Sequence, residues 1–187
     1  MTSRSCTRPF TAPEFCLPAT SGRNLEFENV AGPKGTVIAF ICNHCPHVVA
    51  AIDRIVEDVK TLRGMGIGFA AICSNDSWAY PADSFEQMQI MVKERCLPFA
   101  YMRDRDSKVA RAYGATRTPE FLGFDQARVL QYRGRLDDAG RRLAAPDRRR
   151  ELVDAMALVL RTGRGPDVQN PTDGGVIKWA DGLFSAQ

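Results

Sequence analysis

Several things are scarce in this chain, and each scarcity removes a class of function. No apolar run approaches the length of a membrane-spanning helix, so no membrane partner is expected. The formal net charge of +3 over 187 residues is too small to call for a polyanionic partner such as nucleic acid. Behind Met1-Thr2-Ser3-Arg4-Ser5-Cys6 there is no apolar core of a secretory signal, and the chain reads as cytoplasmic. Its six cysteines are then expected to be reduced, apart from any pair that cycles. There is no second Cys-x-x-Cys, no Cys-x-x-Cys-His for haem attachment and no histidine beyond His47. Neither an internal repeat nor a linker divides the sequence. One domain over 1–187 is expected, with a core of about 12–162 and a tail of 163–187.

What is present centres on Thr36-Val37-Ile38-Ala39-Phe40-Ile41-Cys42-Asn43-His44-Cys45-Pro46-His47. A β-branched apolar run feeds a Cys-x-x-Cys, and a helical pattern follows at once: Val48, Ile52, Ile55, Val59 and Leu62 on one face, Asp53, Arg54, Glu57, Asp58 and Lys60 on the other, with Gly64 as the end. The first turn of a helix leaves N–H groups unpaired and lowers the pKa of a thiol placed there. Cysteines three apart on such a turn share a side and can join. On this reading Cys42 is the more exposed, attacking thiolate, Cys45 is the resolving thiol, and a protonated His44 tunes the Cys42 pKa. A metal site would have to draw on residues 42, 44, 45 and 47 within one short stretch, which strains a tetrahedral geometry, so no metal and no cofactor is expected.

The other segments give an α/β pattern. Ala12 to Pro18 and Asn24 to Val30 form a hairpin ahead of the main fold. Ile67 to Cys73 is a buried strand in which Cys73 is a small hydrophobe, and Ser74 to Pro81 is a loop that could bring Trp78 and Tyr80 to the site. Asp83 and Glu86 form a capping-box-like start for a helix through Phe85, Met88, Met91 and Val92, with Cys96 structural at its end. A strand at 98–102, a short helix closed by Gly114, a strand after Pro119 and another from Val129 to Tyr132 follow. Residues 133–150 carry seven arginines interleaved with acids and read as a solvated loop and helix start. Leu152 to Leu160 is a final helix ended by Gly163, and Val176-Ile177-Lys178-Trp179 docks back through Trp179.

Taken together, Ala12-Pro13-Glu14-Phe15, Cys42-Asn43-His44-Cys45-Pro46, Ser74-Asn75-Asp76, Thr118-Pro119 and Tyr132-Arg133-Gly134-Arg135-Leu136-Asp137-Asp138 resemble the redoxin group of the thioredoxin superfamily. More narrowly, they resemble peroxiredoxin-like proteins related to alkyl hydroperoxide reductase and thiol-specific antioxidant proteins. The resemblance implies a thioredoxin-like fold with a central mixed sheet flanked by helices, here with an N-terminal β-hairpin extension. It implies a thiol–disulfide oxidoreductase using Cys42 and Cys45, antioxidant activity, and a cis proline at Pro119. Thr118 would offer its backbone to a substrate by strand pairing. The implied partners are a disulfide-containing protein or small molecule and a thiol reductant such as a thioredoxin or glutathione system. Relatives with a histidine between the cysteines, as at His44, tend to be more oxidising than thioredoxin, whereas a cytoplasmic setting argues for reduction. The alternatives are a peroxidase with Cys45 as the peroxidatic cysteine and a metal-binding module of the same fold. In peroxiredoxins a threonine stands where this chain has Cys42 and an arginine about where it has Pro119, and both differences favour disulfide exchange. Relatives often carry a cysteine where this chain has Arg117; Arg117, if turned to the site, would help hold the Cys42 thiolate.

Overall fold

A computed structural model describes residues 9–180; the Met1–Cys6 reading lies outside the described residues. Strands β1 (Cys16–Pro18) and β2 (Asn24–Glu26) form the antiparallel hairpin that precedes the main fold. The chain then turns helical sooner than the alternation predicts. Residues Phe27–Val30 form a one-turn helix, α1, because Glu26 and Asn29 satisfy each other's backbone N–H groups in a capping box and Phe27 buries its ring.

The central sheet contains β3 (Gly35–Phe40), β4 (Ile67–Cys73), β5 (Ala100–Arg103), β7 (Glu120–Asp125) and β8 (Leu130–Gly134). Between β5 and β7 lies the two-residue strand β6 (Arg117–Thr118). β7 pairs antiparallel with β3 and with β8, whereas β4 and β5 are parallel, so the sheet is mixed. Ile41 N–H donates to Ile72 O, joining the end of β3 to β4. Helix α2 (Pro46–Gly64) connects β3 to β4. Its companions are α3 (Phe85–Glu94), α4 (Lys108–Tyr113) and α5 (Glu151–Thr162).

Every residue of β3 is buried because the sheet is covered on both faces. Alternate side chains go to opposite sides. Val37, Ala39 and Ile41 pack with Ile52, Ile55, Val59 and Leu62 of α2 and Leu152, Met156 and Val159 of α5. Ile38 and Phe40 join Leu122, Phe124, Phe15, Phe27 and Tyr113 on the other side. The helices end where small residues permit it: Gly114 and Gly163 adopt φ of +65° and +76°. Gly64 is the last residue of α2, and the left-handed turn after it falls on Gly66.

Two surface expectations change in the tertiary structure. Asp58, placed by helical periodicity on the solvent face of α2, is fully buried. The segment carrying the arginines folds over that face: Arg150 donates to Asp58, and Arg148 reaches Asp58, Glu57 and Asp137. Arg54 pairs with Asp137 at 2.7 Å, and Arg135 with Glu151 at 2.7 Å. Arg135, Arg148 and Arg150 of the arginine-rich stretch therefore clamp α2 and α5, while Arg141, Arg142 and Arg149 stay exposed as the solvated-loop reading expects. The tail also docks. Residues Gly175–Val176 form β9 against β6, and the Arg111 guanidinium lies 4.4 Å from the centre of the Trp179 ring. No helix of the described residues is long and apolar enough to cross a membrane.

Candidate active site

β3 delivers Cys42 and Cys45 to the start of α2, as the apolar run followed by Pro46 requires. The helix begins later than expected: Pro46 is its first residue and Cys45 its N-cap, so neither cysteine lies within the first turn. Cys42 therefore lies in the loop before the helix, and Cys45 is the cysteine next to the first turn, although its side chain makes no cap hydrogen bond. Exposure follows suit. Cys42 is only 1% accessible and Cys45 5%, so the expectation that Cys42 is the more exposed thiol is corrected.

Both sulfurs are free thiols that meet at Thr118. Cys42 Sγ is 3.4 Å from the Thr118 hydroxyl, and Cys45 Sγ is 3.1 Å from the Thr118 carbonyl. The Thr118–Pro119 peptide bond beside them is cis. Two buried thiols in contact share one proton most cheaply by leaving it on one sulfur. A hydrogen bond from Cys42, with help from the Thr118 hydroxyl and the backbone N–H groups of Val48 and Gly175, holds the Cys45 thiol well below the ordinary cysteine range. Burial and the Thr118 carbonyl, which accepts from the thiol, favour a neutral Cys45. Cys42 is pushed up, first by its hydrogen bond to Cys45, then by burial and by the nearby Asp83 carboxylate. Cys73 is fully buried and pushed up to about 11, chiefly by desolvation, as a core thiol should be. Cys96 is exposed, with a left-handed φ of 47°.

The loop between the cysteines is held from below by Asp83. Its Oδ1 accepts from the Asn43 backbone N–H at 2.7 Å, and its Oδ2 accepts from the Asn75 side chain at 2.8 Å and pairs with His44 Nδ1 at 2.6 Å. His44 also stacks on Tyr80, with ring centres 5.6 Å apart. A protonated His44 thus faces a carboxylate that offsets its charge at Cys42. The helix expected to be capped by Asp83 is capped by Ser84, whose hydroxyl accepts from Gln87 N–H at 3.3 Å. The signal was the register: Phe85 opens the apolar face, so the residue before it is the cap and Asp83 is free for other work. Tyr101, whose hydroxyl donates to Asn43 Oδ1 at 3.0 Å, carries no comparable signal in a buried strand. Tyr80 reaches the site through His44, whereas Trp78 stands 81% exposed.

One ligand atom each from Cys42, His44 and Asp83 falls within 4.8 Å of the others, so this trio could hold an ion, unlike the set 42, 44, 45 and 47. The Asp83 oxygens, however, are already occupied by the donors of the cysteine loop. Arg117 does not turn to the sulfurs: its Nη1 donates to Gly174 O at 2.7 Å. Thr118 and Pro119 do lie at the pair, but the backbone edge of Thr118 is taken, since Thr118 is paired with Gly175 and Arg117 with Val176.

A strand–loop–helix carrying two adjoining thiols beside a cis proline, on a mixed sheet covered by helices, defines a redox protein of thioredoxin fold. Within that class, the AhpC/TSA family model matches residues 10–138, and the chain belongs to that family. It is similar to an uncharacterized conserved protein of Geobacillus kaustophilus, at 36% identity and a TM-score of 0.86 over 95% of this chain and 94% of the other. It is also similar to a hypothetical protein of Sinorhizobium meliloti 1021, at 32% identity and a TM-score of 0.84 over 96% and 98%. The fold extends to a thiol:disulfide interchange protein of the thioredoxin family from Chlorobium tepidum TLS, at 17% identity and a TM-score of 0.62 over 82% and 98%. No curated protein matches the chain.

Proposed function

We propose that this chain is a thiol–disulfide oxidoreductase in which Cys45 is the attacking thiolate and Cys42 the resolving thiol. The observation that carries this reading is the placement of Cys45, not Cys42, at the N-cap of α2. The Cys45 thiolate attacks one sulfur of a substrate disulfide, forming a mixed disulfide and expelling the other sulfur as a thiolate, which takes a proton. Cys42 then gives up its proton and attacks Cys45. The second substrate thiol leaves, and a Cys42–Cys45 disulfide remains. Two electrons have passed to the substrate, and a thiol reductant restores the pair.

The second reading, a peroxidase, is favoured by that same acidic Cys45. A hydroperoxide would convert the thiolate, with one proton, to a sulfenic acid and an alcohol or water. Cys42 would condense with the sulfenic acid, releasing water. Weighing against it, no arginine among the described residues hydrogen-bonds either sulfur to polarise the O–O bond.

The test is a parallel assay of wild type, Cys42→Ser and Cys45→Ser with dithiothreitol as reductant, using a disulfide and hydrogen peroxide as oxidants. Disulfide turnover should disappear in Cys45→Ser, while Cys42→Ser should accumulate the mixed disulfide on Cys45, seen as an adduct by mass spectrometry. Trapping on Cys42 in the Cys45→Ser protein would reverse the roles. Rapid peroxide consumption that depends on Cys45, without disulfide turnover, would favour the peroxidase.

A further inference from the structure

The edge that would receive a polypeptide substrate is already filled by the chain itself. β9 lies antiparallel on β6, so the Thr118 backbone beside the sulfurs has a partner before any substrate arrives. The fit is close. A Cβ on Gly174 would stand 2.2 Å from Thr118 O, and one on Gly175 would stand 3.2 Å from Cys45 Sγ. Gly174 has no room for a side chain against the Thr118 backbone, and Gly175 passes tightly over the Cys45 sulfur.

The segment is fastened along its length. Thr172 hydrogen-bonds Pro119 O, and Arg117 holds Gly174 O. Ile177 N–H donates to Thr116 O at 2.9 Å, Lys178 N–H to Asn75 Oδ1 at 2.9 Å, and Ala180 N–H to the Ser107 hydroxyl at 3.0 Å. Asn75 also binds Asp83, so one side chain ties the strap to the clamp on the cysteine loop. With the strap seated, Cys42 and Cys45 are both buried residues, 1% and 5% accessible.

We infer that residues 172–176 form a fixed internal strap that determines substrate class: it keeps polypeptide disulfides off the Cys42–Cys45 pair and leaves the pair to low-molecular-weight disulfides. This rests on the oxidoreductase reading and adds its specificity. Strand addition by a peptide needs an open edge of N–H and C=O groups, and β9 consumes that edge. A small disulfide needs only a line of approach to one sulfur. The exchange itself is the balanced two-electron sequence given above, with oxidised glutathione as the small disulfide and dithiothreitol as the reductant.

The experiment compares the full-length wild type with Gly174→Ala, which puts a methyl group into Thr118 O, and with the double variant Arg117→Ala/Thr172→Val, which removes two fastenings and adds no bulk. Two readouts are taken. The first is the ratio of insulin reduction to oxidised-glutathione reduction. The second is the ratio of Cys45 labelling by iodoacetamide to labelling by a polyethylene-glycol maleimide, read peptide by peptide. Wild type should reduce oxidised glutathione but not insulin and should label with the small reagent only. At least one variant should raise the insulin ratio tenfold or more and admit the bulky reagent. Wild type that reduces insulin as fast as oxidised glutathione, or labels equally with both reagents, overturns the strap. So do variants that fold, by circular dichroism, and leave both ratios unchanged. Failure of wild type to turn over either disulfide overturns the oxidoreductase reading and the substrate-class inference with it; a discriminating labelling ratio in that case shows that the cover itself is real.

Discussion

Cys45 derives its acidity from contacts that reach it from separate parts of the chain: Cys42 three residues before, Val48 in the first turn of α2, Thr118 before the cis proline and Gly175 in the tail. A depressed pKa keeps the thiolate populated as pH falls, until the pH passes through the folded value. Alkylation of Cys45 by iodoacetamide should therefore change little between pH 8 and pH 6. A free thiol slows by roughly two orders of magnitude over that range. Replacing the principal donor, Cys42→Ala, should move the Cys45 profile to higher pH. A wild-type profile that follows an exposed cysteine such as Cys16 would remove the basis for making Cys45 the nucleophile.

Among the elements, β4 shows how closely the backbone must approach to set the sheet under the site. A Cβ on Gly68 would lie 2.2 Å from Val30 O and 2.4 Å from Gly32 N, both backbone atoms that cannot swing aside. Gly68→Ala should destabilise the protein by about 1–3 kcal/mol in urea unfolding, the usual scale of overpacking. Gly64, at the end of α2, has open space where a Cβ would go. Gly64→Ala should stabilise by about 0.5–1 kcal/mol, because the unfolded chain loses freedom and the helix gains a better former. The two substitutions are chemically identical, so opposite signs would separate a site with backbone contact from one with open space.

Across the whole molecule, the buried ion cluster of Asp58, Arg148 and Arg150 joins α2 to the arginine-rich segment. Burial pushes the Asp58 carboxyl up to about 6, and the two arginines only partly offset it; Oδ2 has no hydrogen-bond partner among the described residues. The folded pKa lies above the unfolded one, so the folded state binds the extra proton. The associated stability is present below about pH 4 and is lost as pH rises through about 6. In a comparison of urea stability at pH 4 and pH 7, wild type should lose up to about 3 kcal/mol relative to Asp58→Asn over that interval. Parallel curves for the two proteins would show that the arginines neutralise the cost of burial.

The sequence by itself determined whatever depends on neighbours along the chain. The continuous apolar run of β3, the helical stripe from Val48 to Leu62 and the Gly114 and Gly163 stops follow from local steric and solvation rules. The Cys-x-x-Cys and the later Thr-Pro were legible as motifs, and the family and fold followed from the resemblance those motifs carry. Only the tertiary structure decided which cysteine caps α2, what Asp83 and Asp58 do, and that the tail occupies the Thr118 edge. Acidity, burial and access are set by groups brought together from distant positions: Asp83 lies 39 residues beyond His44, and Thr118 lies 76 beyond Cys42. No periodicity records such a meeting, because the dielectric and hydrogen-bonding surroundings of a side chain come from whatever the folded chain lays against it.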